Sequence, residues 1–156
     1  MKNLVIIENI RSAYNVGNIL RTADGLGFEV VISWYTAHPD DEPKILKTSL
    51  GSEKHVNLQQ FWNAQEAIDH VKGKGYCIIA AETGANAVAL ETFREGLSAE
   101  DAKKPLAIIF WNERHWVLPE TLAQVDQIVY IPMQGIKESF NVGQSAAIFM
   151  WELRKR

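Results

Sequence analysis

Three clusters of polar side chains could carry chemistry, and each follows a short apolar run. The first cluster combines amides with guanidinium groups: Asn9, Arg11, Asn15, Asn18 and Arg21. Asn15 and Asn18 lie near the expected start of a helix, where free backbone N–H groups favour an anion, and Arg21 lies one turn further on. Arg11, Asn18 and Arg21 could therefore clamp a phosphate group. An asparagine-capped helix with solvated arginines explains the same residues, and spacing alone slightly favours that simpler interpretation.

The second cluster is Trp111-Asn112-Glu113-Arg114-His115-Trp116. An acid, an amide and two indole rings after a strand could bind a planar, polar ligand. A turn with a Glu–Arg surface pair and a tryptophan packed on the core is the simpler interpretation, and the sequence alone favours it. Four scattered histidines and one cysteine match no known spacing of metal ligands, so no metal is expected.

The third cluster runs from Ile131-Pro132-Met133 through Gly135 to Ser139-Phe140-Asn141. A loop of this length, rich in backbone donors and acceptors, suits recognition of an adenine or ribose edge. Gly135 is expected to adopt a backbone conformation that other residues resist, and Ser139 to cap the closing helix. A capped connector between strand and helix explains the loop equally well.

The elements that must position these clusters alternate between strands and helices. We expect strands at residues 4–7, 29–33, 56–58, 76–81, 106–110 and 127–131, and helices at 16–26, 45–50, 63–71 and 139–154. Continuous apolar strands separated by helices predict an α/β fold, a mostly parallel sheet with helices on both faces. All three clusters then fall beyond the carboxyl ends of strands, where such sheets bind ligands.

In their order and spacing the clusters resemble the SpoU (TrmH-like) family of the SPOUT knotted methyltransferases, from about Leu4 to Glu152. The family's first motif is matched by Asn15 and Arg21-Thr22-Ala23, an intermediate feature by Lys47-Thr48-Ser49-Leu50-Gly51, and the acid of the second motif by Glu113. The third motif, I-P-M-x-G-x-x-x-S-L-N-V, is the most specific, and it is matched by Ile131-Pro132-Met133, Gly135 and Ser139-Phe140-Asn141-Val142.

The resemblance implies a C-terminal trefoil knot, a rare exception to unknotted chains, together with a homodimer and the cofactor S-adenosylmethionine. It implies methylation of a ribose 2′-hydroxyl in tRNA or rRNA. The catalytic residues it implies are Asn15, Arg21, Glu113, Ser139 and Asn141. The cofactor contacts it implies are Glu82, Thr83, Trp111, Ile131, Met133, Gly135 and Phe140.

Two tryptophans depart from the family pattern, because Trp111 and Trp116 stand where glycine is usual. The alternative function is therefore a knotted RNA-binding or scaffolding homologue that has lost the cofactor. A third possibility is a small-molecule nucleotide enzyme on an ordinary doubly wound sheet. The chain lacks the G-x-G-x-x-G fingerprint after its first strand, which counts against that possibility.

Composition limits the remaining choices. A chain of 156 residues with 47% apolar and 22% charged residues fits one globular domain, expected at 1–156 without a separate RNA-binding extension. Its apolar runs are too short to span a membrane, and Cys77, without a disulfide partner, is expected to be buried and inert. These features favour a cytoplasmic protein. A formal net charge of -3 means that any basic surface for RNA must be local.

Overall fold

A single parallel sheet organises the chain, in a computed structural model that describes residues 1–33, 35–112 and 119–155. Its strands are β1 (Leu4–Glu8), β2 (Glu29–Ser33), β3 (Leu58–Phe61), β4 (Cys77–Ala81), β5 (Val88–Ala89), β6 (Leu106–Trp111) and β7 (Gln127–Tyr130). Their order is β3-β2-β1-β6-β4-β7-β5, and each of the pairings is parallel. The predicted α/β class is confirmed. The trefoil knot stays a prediction.

Helices pack on both faces of this sheet because its central strands are apolar on both sides. The helices are α1 (Ala13–Leu26), α2 (Leu46–Ser49), α3 (Ala64–Gly73), α4 (Pro119–Leu122) and α5 (Val142–Leu153). Alternate residues of β1 enter two separate cores: Val5 and Ile7 pack with α1 and α5, whereas Leu4 and Ile6 pack with α3. Within the described ranges, no helix is both long and apolar enough to cross a membrane.

Two predicted elements need correction. The third strand lies at Leu58–Phe61 rather than at 56–58, because the edge strand continues through two glutamines that carry no apolar signal. The closing helix α5 is capped by Asn141, whose Oδ1 accepts a hydrogen bond from the Gly143 N–H at 2.9 Å. The prediction that Ser139 caps this helix is therefore wrong. The predicted inner face of the helix is confirmed, since these residues are all buried: Val142, Ala146, Phe149, Met150 and Leu153.

Candidate active site

A cleft of about 390 Å³ opens where β4, β6 and β7 end. This volume lies within the range of small-molecule sites, roughly 300–1,000 Å³. Six of the seven predicted cofactor residues line the cleft, namely Glu82, Thr83, Trp111, Ile131, Met133 and Phe140. Ser139, predicted as catalytic, lines it as well. The cleft therefore combines residues that stand up to 68 positions apart along the sequence, from Ala81 to Phe149.

Trp111 forms part of the cleft wall and leaves the cleft open. It is the last residue of β6, is 8% exposed, and packs in the core on the α3 side of the sheet. Its indole Nε1 donates a hydrogen bond to Glu82 Oε2 at 3.1 Å. Glu82 Oε1 accepts from the backbone N–H of Thr83 at 2.8 Å, so both carboxylate oxygens have partners. Trp111, which stands where glycine is usual in the family, thus holds the carboxylate of Glu82 beside the cleft.

Gly135 does not behave as predicted. Three glycines of the described chain have a positive φ, Gly27, Gly51 and Gly75, and Gly135 is not among them. A Cβ added at Gly135 would meet no heavy atom within 4 Å. The residue is exposed and does not line the cleft. Gly135 thus does not use the backbone conformation that glycine permits, and none of the described residues requires glycine here.

The asparagines of the first and third motifs meet where α1 and α5 begin. Ser12 caps α1, with its Oγ accepting from the Asn15 N–H at 3.3 Å, so the interpretation of the asparagines as caps of this helix is wrong. A Cβ on Gly143 would lie 3.5 Å from Asn15 Oδ1, 3.5 Å from Asn18 Cβ and 3.2 Å from Asn141 Oδ1. Gly143 thus lets the two helix starts approach closely, a role that sequence analysis missed.

The arginines of the first cluster lie outside the cleft. Arg21 is exposed on α1 and does not line the cleft. Its guanidinium group makes no hydrogen bond or ion pair with any residue in the described ranges. Arg11 is also exposed, and its Nε donates to Asn9 Oδ1 at 3.3 Å. Asn9 has a φ of 52°, a left-handed conformation that asparagine tolerates better than most residues. Both guanidinium groups are therefore available to an external anion.

Glu113 and Trp116 lie outside the described residues, so their places in the site are not assigned. Among the residues that the structure does describe, no group of three or more His, Cys, Asp or Glu could hold a metal ion. Cys77 is buried in β4, and burial raises the pKa of its thiol to about 12. It is therefore a neutral, inert thiol at physiological pH, as expected.

One acid beside the site escaped sequence analysis. Glu8 ends β1 and is paired in register with Trp111 of β6. Its buried Oε2 has no hydrogen-bond partner among the residues that the structure describes. Burial raises the pKa of this carboxyl, and a hydrogen bond with Ser33 opposes the rise only in part. An acid that directly follows four apolar strand residues was the available signal.

Comparison with known proteins finds a family whose model matches nearly the whole chain. The model of the SpoU rRNA Methylase family matches residues 2–151. The tRNA (guanosine(18)-2′-O)-methyltransferase of Thermus thermophilus is 33% identical over 153 residues, which are 97% of this chain and 74% of that protein.

Two solved structures share the fold. The AdoMet-bound rRNA methyltransferase from Sinorhizobium meliloti superposes with a TM-score of 0.84 at 22% identity, over 99% of this chain and 56% of that one. The A. aeolicus TrmH/SpoU tRNA modifying enzyme superposes with a TM-score of 0.81 at 26% identity, over 99% of this chain and 75% of that one. The chain thus spans little more than half of one neighbour and about three quarters of the other.

Proposed function

Since the chain belongs to the SpoU rRNA methylase family, we propose that it methylates a ribose 2′-hydroxyl of tRNA or rRNA with S-adenosylmethionine as donor. The family predicted from the motifs is confirmed. The observation that carries the proposed activity is the open cleft, which is lined by Ser139 and by most of the residues expected at the cofactor. tRNA is the substrate to test first, because the Thermus thermophilus relative is named as a tRNA enzyme.

The residues of the cleft fit the proposed cofactor. S-adenosylmethionine carries two positive groups, ribose hydroxyls and a flat adenine. The Glu82 carboxylate can accept hydrogen bonds from the hydroxyl or ammonium groups, and charged hydrogen bonds of this kind are strong. Phe110, Met133 and Phe140 offer apolar surface for the adenine. The wall formed by Trp111 leaves the volume open, which favours the methyltransferase over a homologue without cofactor.

When bound, the cofactor supplies a methyl group on a sulfonium, so the chain must align the 2′-hydroxyl and help remove its proton. Arg21 would bind the phosphate beside the target nucleotide and stabilise the negative charge that develops on the 2′-oxygen. A guanidinium keeps its proton at physiological pH, so we do not assign Arg21 as the base.

Other residues would orient the ribose. Ser139 lines the cleft and would lie at the point of methyl transfer. The Asn141 Oδ1 is used by the helix cap, which leaves its amide N–H groups to donate to the ribose. Asn15 would position Arg21, and Glu113 would order the arginine network.

Cofactor binding comes first among the tests. We expect saturable binding of S-adenosylmethionine and S-adenosylhomocysteine by calorimetry at micromolar concentrations. Trp111→Phe, which lacks the indole N–H but retains an aromatic wall, serves as the matched variant and should bind more weakly. No binding by the wild type, with binding restored in Trp111→Gly, would instead indicate a family member whose cofactor site is closed.

Methyl transfer is the second test. Bulk tRNA and, separately, rRNA are incubated with the protein and S-adenosylmethionine labelled in its methyl group. A 2′-O-methyl ribose blocks alkaline cleavage of the next phosphodiester, so the label should appear in alkali-resistant dinucleotides. Label recovered in mononucleotides would mean that a base is methylated, and the proposed reaction would be wrong.

We further propose that two copies form a homodimer through α1 and α5. These helices pack side by side and leave large apolar groups on their outer surface: Tyr14 is 65% exposed, Ile148 37% and Trp151 55%. Exposed apolar surface of this kind commonly marks a protein interface. Arg21 does not line the cleft of its own chain, so Arg21 of the partner subunit would complete each active site.

A mixing experiment tests the shared site. Arg21→Ala and Ser139→Ala variants, each inactive, are mixed so that subunits exchange. If the site is completed across the interface, each mixed dimer regains one intact site, and about a quarter of wild-type activity should return. No recovery, in a mixture that sedimentation shows to be dimeric, would mean that each chain builds its whole site.

A further inference from the structure

Residues 43–54 carry a patch of unpaired positive charge beside α1. The patch contains Lys44, Lys47 and Lys54, which are all exposed. The chain as a whole has a formal net charge of -3, and Asp40, Asp41 and Glu42 directly precede the patch, so its positive charge is confined to these three side chains. No described residue forms an ion pair with any of the three ammonium groups.

The single acid within the segment is already engaged. Glu53 Oε2 accepts hydrogen bonds from Ser49 Oγ at 2.5 Å and from the Gly51 N–H at 3.0 Å. These bonds lower the pKa of the carboxyl, the bond from Ser49 most of all. Glu53 thus mainly closes the turn, and the nearby charge of Lys54 lowers its pKa to a smaller extent.

The turn that separates these lysines is tight and strained. Leu50 has a φ of 51° and Gly51 a φ of 98°, so two left-handed residues follow one another. The left-handed conformation costs a non-glycine residue roughly 1–2 kcal/mol. Leu50 is nevertheless 65% exposed and fills no core. Its left-handed conformation ends α2, where the Leu50 N–H donates to the Leu46 carbonyl oxygen at 3.3 Å.

The patch is fixed to the part of α1 that carries the site asparagines. Thr48 Oγ1 donates to the Tyr14 carbonyl oxygen at 3.1 Å, directly before Asn15. α1 also approaches the segment closely, since a Cβ on Gly17 would lie 2.5 Å from the Ile45 carbonyl oxygen. The segment that carries the lysines therefore lies directly against the start of α1, the helix that also carries Asn15, Asn18 and Arg21.

We propose that residues 43–54 form a second RNA-contact surface, on which Lys44, Lys47 and Lys54 bind phosphates that flank the methylated nucleotide. This inference rests on the proposed function, because it assigns a surface to the same RNA. Several cations without acidic partners suit a phosphate backbone, which presents many like charges in a row.

The test compares two variants that each remove three positive charges. One is Lys44→Gln/Lys47→Gln/Lys54→Gln. The control is Lys2→Gln/Lys72→Gln/Lys74→Gln, whose three exposed lysines lie shortly before the amino ends of β1 and β4, at the end of those strands away from the cleft. The hydrogen bond from the Tyr76 hydroxyl to the Lys2 carbonyl oxygen links the two segments that precede β1 and β4.

Binding of bulk tRNA is measured between 50 and 200 mM salt. Each lost phosphate contact should reduce the slope of log affinity against log salt by about 0.7, so the patch variant should lose about 2 in slope. From 50 to 200 mM salt, a fourfold increase, the wild type should therefore lose about 16-fold more affinity than the patch variant does. The control variant should keep most of the wild-type slope.

The outcomes separate the two proposals. A slope difference that persists when the wild type transfers no methyl group would support the surface and contradict the activity. A patch variant with wild-type slope and wild-type KM for tRNA would overturn the surface while the activity stands. A patch variant that dissociates from dimer to monomer would also overturn the proposal, because the lysines would then serve an interface between copies.

If the triple variant melts without cooperativity, the single Lys47→Gln variant takes its place. Its expected loss in slope is about 0.7.

Discussion

The cleft wall and the exposed face of α1 differ in how their polar groups are used. In the wall, Trp111 and Glu82 hold one another through a hydrogen bond at 3.1 Å, and the tryptophan ring is buried. On α1, Arg21 is exposed and has no partner within the described chain. The wall is thus complete within one chain, whereas the α1 face presents charge to something outside it.

This difference assigns the two regions to two ligands. A small molecule is bound best by a preformed wall, because ordering the wall on binding would cost free energy. A large polyanion is bound by exposed cations that give up only their counterions. The cleft is therefore the cofactor half of the site and the α1 face is the RNA half, so substitutions in each half should fail in different ways.

The largest effect is expected from Arg21→Ala. Losing one group that stabilises the developing charge should reduce kcat by about 10²–10³-fold, while cofactor affinity and Tm stay at wild-type values. Single-turnover methyl transfer at saturating tRNA measures the loss. Lys72→Ala, in the last turn of α3, is the control. If Arg21→Ala kept full activity, the assignment of α1 as the RNA half would be wrong.

Glu82→Gln should fail in the opposite way. The amide keeps an oxygen that can accept from the Trp111 indole but loses the negative charge offered to the cofactor. Charged hydrogen bonds contribute about 1.5–3 kcal/mol, so the Kd for S-adenosylmethionine should rise about 10–100-fold. Calorimetry measures the change, with Glu95→Gln as an equal loss of charge on an exposed acid away from the cleft. An unchanged Kd would remove Glu82 from the cofactor half.

Sequence patterns identified the elements well where burial is one-sided and regular. The helix expected at 16–26 is α1 with one more turn at its start, and the apolar strands at 29–33 and 106–110 match β2 and β6 within a residue. The two-residue strand β5 could not be predicted, because Val88–Ala89 has no periodicity and exists through its pairing with β7. Edge strand β3 was displaced for a related reason, since its glutamines carry no apolar signal.

The candidate site was only partly accessible from sequence. The resemblance to the family implied six residues that line the cleft, and these residues meet because they follow the ends of neighbouring strands. It could not predict the direction of the Trp111 ring, which depends on packing against the α3 core. The Gly143 contact between α1 and α5 also depends on tertiary approach of two helices that lie far apart in the sequence.

A smaller effect, on stability, tests how firmly the RNA half is held. In Gly17→Ala the added Cβ would lie 2.5 Å from the Ile45 carbonyl oxygen and 3.0 Å from the Ser49 nitrogen, so α1 and the lysine-bearing segment must separate. Overpacking of this kind costs about 1–3 kcal/mol, which should lower Tm by about 3–10 °C. Gly25→Ala is the matched control on the same helix.

A Cβ at Gly25 meets nothing within 4 Å, so alanine there should raise Tm through its better helix propensity, worth up to about 1 kcal/mol. Thermal melting of both variants measures the contrast. Equal Tm values would mean that α1 does not lie firmly against residues 43–54. The slope of tRNA binding against salt should also fall in Gly17→Ala and stay constant in Gly25→Ala.

The smallest effect is expected from Glu8→Gln, at the end of the strand between the two halves. Burial raises the pKa of Glu8 above its ordinary value, so the ionised form destabilises the folded state. Below about pH 4 the carboxyl is protonated in both the folded and unfolded chain, and the penalty is absent. As pH rises from the pKa of Glu8 in the unfolded chain to its raised pKa in the folded chain, the free energy of unfolding of the wild type falls. Glu8→Gln should therefore raise Tm by about 2–4 °C at pH 7, with less gain where water reaches the carboxyl, and by nothing near pH 4. Melting curves at both pH values measure the difference, and Glu91→Gln, an exposed acid, should show none. A gain of the same size at pH 4 would mean that the amide stabilises by its contacts and that the charge of Glu8 costs nothing.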